Sequence, residues 1–292
     1  MKIKHFSLGA SLAFSMVTFG AQADTVDVVT SFTILADVVN QVGGEHVNVH
    51  HFVGDNGDPH KYEPSPKDVA QLKNTDVIFI SDSSSFEMWF ERLAKSADRS
   101  DVVSVSKGIE THTMTEDGDV VTDPHVWNDP RNVKIWVKNI EEKLVNTDPK
   151  DAKDFHTNAA NYLRELDELD RYARTSFKDI PASKRKVLTS HDAFSYMGSA
   201  YNITFLAPLG VSTDAEASAQ VVGKLIKQIR DEGIHIYFTE NSNDPRLAKQ
   251  IANETGAQEG GELYPESLSK IVPTYSKMFK YNVDTLAHAM KK

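Results

Sequence analysis

The chain has 292 residues with eleven histidines and no cysteine. Metal binding or nucleophilic chemistry must therefore run through imidazole, hydroxyl or carboxylate rather than thiolate. Three histidines stand in suggestive settings: His60 in Gly57-Asp58-Pro59-His60, His125 in Asp123-Pro124-His125-Val126-Trp127, and His191 in Thr189-Ser190-His191-Asp192. In each Asp-Pro-His triplet, proline fixes its own φ and biases the preceding residue towards extended geometry, so the imidazole sits on a stiff tether. Asp58 and Asp123 are placed to orient the imidazoles or neighbouring amides. A carboxylate candidate, Asp244, lies in Glu240-Asn241-Ser242-Asn243-Asp244-Pro245-Arg246. Three neutral imidazoles and one carboxylate suit tetrahedral Zn2+, with bonds of about 2.0–2.2 Å. Each residue alone also has a plain role: a loop histidine commonly just hydrogen-bonds, and Asp244-Pro245 can cap a helix starting near Arg246. His46, His50, His51, His156, His235 and His288 carry only that plain role. His112 shares a polar loop with Glu116, Asp117 and Asp119, an arrangement suited to weak metal capture.

The elements around these residues alternate. Strands are expected at Val26–Thr30, Asn48–Val53, Asp76–Ser81 and Val102–Val105, with helices at Ile34–Val42, Ser65–Leu72, Phe86–Ala94 and about Pro130–Val145. Lys107–Thr122 reads as a polar loop. A second set follows: strand Lys186–Thr189, helix Ala193–Tyr201, strand Ile203–Ala207, helix Ala219–Glu232, strand Ile234–Thr239, helix Arg246–Thr255 and a closing helix from about Tyr275 to Met290. Such alternation is the pattern of parallel sheets covered by helices. Between the sets, Phe155, Ala159, Tyr162, Leu166, Leu169, Ala173 and Phe177 recur at steps of three and four. They make one apolar stripe on a helix about 40 Å long at 1.5 Å per residue. The expected fold is α/β: two (β/α)4-type lobes with mostly parallel sheets, joined by one long helix. The divisions are 24–147, a linking helix at 148–180, and 181–292. Ligands of open α/β sheets bind beyond the carboxyl ends of the strands, so His60, His125 and His191 point to a site in the cleft between the lobes.

Composition narrows the function. Hydrophobic residues make up 40% and charged residues 25%, ordinary globular values. The net charge of -10 argues against a nucleic-acid partner, whose phosphates demand a basic surface. Residues 1–23 read as a cleavable signal: Lys2 and Lys4, an apolar Phe6–Gly20 stretch, then Ala21-Gln22-Ala23. Removing it takes away two lysines and no acid, which moves the charge from -10 to -12. With no cysteine to carry lipid, no membrane anchor is expected, and a closed compartment, the periplasm, is the expected location.

With Gly57–Val69 (GDPHKYEPSPKDV), Asp123–Asp129 (DPHVWND), His191–Tyr196 (HDAFSY), Glu240–Gly256 (ENSNDPRLAKQIANETG) and Gly260–Leu268 (GGELYPESL) in this order, the chain resembles the cluster A-I (cluster 9) solute-binding proteins. These are the receptors of bacterial ABC importers for zinc and manganese. The resemblance covers essentially the whole mature chain. It implies two β/α lobes on a rigid helix, a monomeric receptor without enzymatic activity, an ABC importer permease as partner and a divalent metal ion as cargo. It also implies His60, His125 and His191 as ligands, with a carboxylate from a late motif as the fourth. Asp244 is taken for that place, although it follows Glu240 by four positions where many relatives have five; Glu240 or water are the alternatives. Manganese receptors of the family commonly carry glutamate where His191 stands, so the cargo is expected to be Zn2+ before Mn2+ or iron. A secreted zinc hydrolase is the distant rival. It would need an open coordination position and a general base such as Asp192 or Glu240. Ion release is expected through small shifts of the lobes, His125 and the Lys107–Thr122 loop.

Overall fold

The computed structural model describes residues 25–82, 85–116, 119–214 and 216–292. The expected signal segment, residues 1–23, lies outside them. In chain order the first lobe holds β1 (Val26–Phe32), α1 (Thr33–Gly43), β2 (Val47–Val53), α2 (Pro66–Lys73), β3 (Val77–Ile80), α3 (Met88–Ser96), β4 (Val102–Ser104), β5 (Thr113–Glu116), β6 (Asp119–Thr122) and α4 (Pro130–Thr147). The linking helix α5 spans Ala152–Phe177. The second lobe holds β7 (Lys186–Leu188), α6 (Ser195–Tyr201), β8 (Thr204–Leu206), α7 (Ala219–Glu232), β9 (Ile236–Glu240), α8 (Arg246–Thr255), β10 (Gln258–Leu263) and α9 (Tyr275–Lys291).

The first sheet has the order β2-β1-β3-β4 and the second β10-β9-β7-β8, all parallel. Read from the other edge, the second order is β8-β7-β9-β10, so both lobes use one topology twice. In each, the strand order reverses beside the first strand, which opens a crevice at the carboxyl edge. Valines and isoleucines of β1 and β3 are buried on both faces, as strands covered by helices require. Local chemistry sets the helix ends. Ser65 and Asp68 form a capping box at the start of α2 with Pro66 in its first turn, and Gly233 and Gly256 take left-handed conformations that end α7 and α8.

Two elements depart from the sequence expectation. The polar loop Lys107–Thr122 contains an antiparallel hairpin, with Thr113 opposite Thr122 and Glu116 opposite Asp119. Gln258–Leu263, where the sequence reading placed no strand, forms β10 despite Gly260 and Gly261. A side chain at Gly260 would strike the Phe238 ring at 2.6 Å, and Gly261 sits at φ +137°, so only glycine lets this strand lie against β9.

Helix α5 buries the seven residues of its stripe, Phe155 through Phe177. It packs against α1 and α4 of the first lobe and α6 and α9 of the second. Asn158 reaches the carbonyl of Val42 at 3.2 Å, and Tyr201 donates to Asp170 at 3.0 Å. One continuous core runs from Val28 through Trp136 and Leu166 to Phe279 and Met290, while a smaller cluster of Leu188, Leu225, Ile229 and Ile251 lies under α7 and α8. Among the described residues no helix is long and apolar enough to cross a membrane.

Candidate metal centre

The loops at the carboxyl edges of the two sheets converge. His60 lies in a tight 3-10 turn, Pro59–Lys61, after β2; Asp58 caps it by accepting the His60 amide at 3.0 Å. His125 follows the hairpin, directly ahead of a second such turn at Val126–Asn128. His191 follows β7 and bridges to Leu209 in the loop after β8. These three imidazoles meet a carboxylate that the sequence reading passed over, Glu266, in the loop after β10. One donor atom from each of the four residues lies within 4.8 Å of the other three, and all four residues are buried. His60 Nε2 is 3.2 Å from Glu266 Oε2, His191 Nε2 3.4 Å and His125 Nε2 3.5 Å, and His60 Nε2 is 3.4 Å from His125 Nε2.

Asp244 is not part of this cluster. Its carboxylate is 54% exposed, accepts from the Arg246 amide at 3.0 Å and pairs with the Arg246 guanidinium. Asp244 is not the N-cap of α8, a place Pro245 holds; from one residue further out it takes the first backbone amide of the helix and the Arg246 side chain. Glu240, the other carboxylate considered, is buried but sits on the far side of His191. Its Oε2 accepts from His191 Nδ1 at 2.6 Å, and its Oε1 takes the amides of Ser190 and His191 at 2.8 and 3.2 Å. Glu240 therefore fixes the tautomer that leaves Nε2 free to face Glu266. Asp123 does the same for His125, accepting from Nδ1 at 2.8 Å and from the backbone amide at 2.9 Å. His112, expected as a weak metal residue, lies on the face of Tyr196 instead, with ring centroids 4.1 Å apart and planes 7° from parallel.

Glu266 is held from both lobes. Trp127 Nε1 donates to the carbonyl of Pro265 at 2.7 Å, Asn128 Nδ2 does so at 3.2 Å, and Ser242 occupies the other carboxylate oxygen at 2.9 Å. Sequence patterning contained a signal for it. Glu266 follows Pro265 as His60 follows Pro59 and His125 follows Pro124, whereas Asp244 precedes its proline. A proline immediately before a side chain stiffens its tether, and three of the four converging groups share that arrangement.

Electrostatics show what the cluster lacks. Burial raises a carboxyl's pKa, yet His191, His60 and His125 outweigh it and hold Glu266 well below the carboxylate range. Burial likewise works against charged imidazoles. Nevertheless Glu240 and Glu266 lift His191 well above its ordinary value, and Asp123 and Glu266 raise His125. Among the described residues, Glu266 Oε2 and His191 Nε2 nonetheless have no well-directed hydrogen bond. Buried polar atoms without partners cost about 1–3 kcal/mol each, so a group of them aimed at one point is a place built for a cation. Aromatic rings wall it: Phe86 stands edge-on to His60 at 4.9 Å, and Trp127 lies 5.4 Å from His125.

Comparison with known proteins places this geometry in context. The family model described as ZnuA, zinc-uptake complex component A, periplasmic, matches residues 28–289. The iron-binding protein YfeA of Yersinia pestis is 33% identical over 264 residues, covering 89% of this chain and 85% of its own. The manganese ABC transporter substrate-binding lipoprotein PsaA of Streptococcus anginosus is 30% identical over 277 residues, covering 91% and 89%. Among solved structures, the periplasmic zinc-binding protein TroA of Treponema pallidum superposes with a TM-score of 0.85 at 29% identity, covering 91% of this chain and 99% of TroA.

Proposed function

This chain belongs to the ZnuA family of periplasmic metal-uptake components, and from that premise we propose that it carries Zn2+ to an ABC importer, held by His60, His125, His191 and Glu266. It is a substrate-binding receptor and not an enzyme, as its relatives are. Those relatives are named for manganese, iron and zinc, so the choice of zinc has to come from the site itself.

The observation that carries the reading is the donor set. Three imidazole nitrogens and one carboxylate oxygen stand mostly 3.2–3.5 Å apart. A tetrahedron with bonds of about 2.1 Å has edges of about 3.4 Å, so an ion fits with little movement of the side chains. Nitrogen-rich donors favour zinc over manganese, which prefers oxygen. Four protein donors also leave no open position for a substrate or an activated water, which removes the basis for a hydrolase. The same role with manganese or iron as cargo is the second reading, supported by the names of PsaA and YfeA. Competition titration of metal-stripped protein with zinc and manganese, followed by elemental analysis, decides between them. Zinc should bind one per chain and resist a large excess of manganese; displacement by equimolar manganese overturns the assignment.

The carrier acts through its own residues. Glu240 and Asp123 hold Nδ1 of His191 and His125 so that both Nε2 atoms are free for the ion, and Glu266 offsets half of its charge. Loading expels the protons that the raised imidazoles hold, so capture and release are coupled to proton exchange.

A further inference from the structure

The dipeptide Ser195-Tyr196, at the start of α6 in the second lobe, is gripped between two residues of the first lobe. Ser195 Oγ donates to Asp123 Oδ2 and lies 3.1 Å from His112 Nδ1. Tyr196 Oη donates to the Asp123 carbonyl at 2.9 Å and accepts from the His112 amide at 3.0 Å, while its ring lies flat on the His112 imidazole. Asp123 and His112 are themselves joined, the Asp123 amide donating to the His112 carbonyl at 3.0 Å. The other oxygen of Asp123 receives His125 Nδ1. A single line of hydrogen bonds thus runs from the second lobe into the far side of a candidate ion ligand.

We propose that Ser195 and Tyr196 are positioning residues for His125, forming a bolt between the lobes through which lobe separation becomes ion release. This rests on the carrier reading above. The physical argument concerns where the strain of opening falls. Asp123 is buried, and its carboxylate can aim at His125 only while Ser195 satisfies its second oxygen. Drawing α6 away from the hairpin removes that donor and the Tyr196 bridge together. Asp123 is then left with an unsatisfied oxygen and a loosened carbonyl, and His125 loses the partner that fixes its tautomer and direction. His60 is linked differently: Asp58 accepts from Thr213 of the second lobe at 2.6 Å but holds only the backbone amide of His60, whose Nδ1 has no hydrogen-bond partner among the described residues. Of these two first-lobe ligands, His125 is the one whose imidazole nitrogen, and not only its backbone amide, is tied to the second lobe.

The test compares Ser195→Ala, Ser195→Thr and Tyr196→Phe in the whole chain, loaded with zinc and mixed rapidly with excess chelator. Losing a partner behind a ligand commonly weakens metal binding by about 10–100-fold, and the bolt lies one bond further out. Ser195→Ala and Tyr196→Phe should therefore release zinc about tenfold faster with unchanged association rates. Ser195→Thr, which keeps the hydroxyl, should restore slow release. In an Asp123→Asn background, Ser195→Ala should add nothing, because its route to His125 is already cut. Wild-type release rates in both Ser195→Ala and Tyr196→Phe, or an equal acceleration in the Asp123→Asn background, overturn the bolt. Should Ser195→Ala fold poorly, Tyr196→Phe carries the test alone, since it keeps the ring on His112. A wild-type chain that binds no zinc overturns bolt and carrier reading together, whereas unchanged release from a zinc-loaded chain overturns the bolt only.

Discussion

Glu87 offers a sharp test of the electrostatic reasoning, because it is buried beside the centre and takes no part in it. It lies next to Phe86, whose ring walls His60. Its Oε2 accepts from the Asp82 amide at 3.1 Å, and the Ser31 hydroxyl lies close enough to favour the ionised form slightly. Burial is the main cause pushing its carboxyl from 4.5 up to about 8, with the charge of Asp82 adding to it. Below pH 4.5 the acid is protonated in folded and unfolded chains alike and has no effect on stability. As pH rises from 4.5 to 8, the unfolded chain ionises while the folded chain holds its proton, so folding loses about 1.4 kcal/mol per pH unit. At pH 7 the loss is about 3 kcal/mol. Glu87→Gln keeps the shape without the titration. The variant should match wild type near pH 4.5 and exceed it by about 3 kcal/mol at pH 7, raising Tm by roughly 5–10 °C. Urea unfolding of both proteins in chelator, from pH 4.5 to 8, isolates Glu87, since contributions of the histidines cancel in the difference. Parallel stability curves, or a variant less stable at pH 7, would refute the reasoning and mean that the carboxylate is ionised in the folded protein.

The remaining expectations concern the centre. Asp244→Ala should leave zinc affinity unchanged, whereas Glu266→Gln should lower it at least a hundredfold, by competition titration; equal effects would return Asp244 to the site. Glu240→Gln should weaken zinc about 10–100-fold without changing its one-to-one stoichiometry, and wild-type affinity would remove Glu240 as the partner of His191. His125 and His191 have raised pKa values in the folded metal-free chain. Their contribution to its stability is complete below about pH 6.5 and lost as pH rises through the folded values. Metal-free protein should therefore lose this stabilisation towards alkaline pH while zinc affinity grows. A zinc affinity independent of pH between 6 and 8 would contradict that coupling.

How much was legible in the sequence varied with how local the signal was. The α5 stripe needed only helical periodicity, and its seven positions are the seven buried ones. The Asp-Pro-His triplets carried their own stiffness, and His191 followed a short apolar strand. Glu266 was harder because its place depends on β10, whose Gly260 and Gly261 erase the usual strand pattern. Those glycines are there for the Phe238 ring and a positive φ, both tertiary facts. Asp244 misled because a loop aspartate before proline suits a local pairing as well as a metal, and here Arg246 takes both of its carboxylate oxygens. The hairpin β5–β6 hid in a segment whose polar composition reads as loop.

The unbroken apolar interior that runs from Val28 to Met290 limits how this protein can be dissected. A fragment ending before α5 would expose faces of α1 and α4 to water, and one beginning after it would leave α9 bare. Expressed halves should aggregate rather than persist as small soluble units. By the same continuity, heat should melt the intact molecule in one step, and an ion gripped at the cleft should be felt as protection from proteolysis at sites far from it.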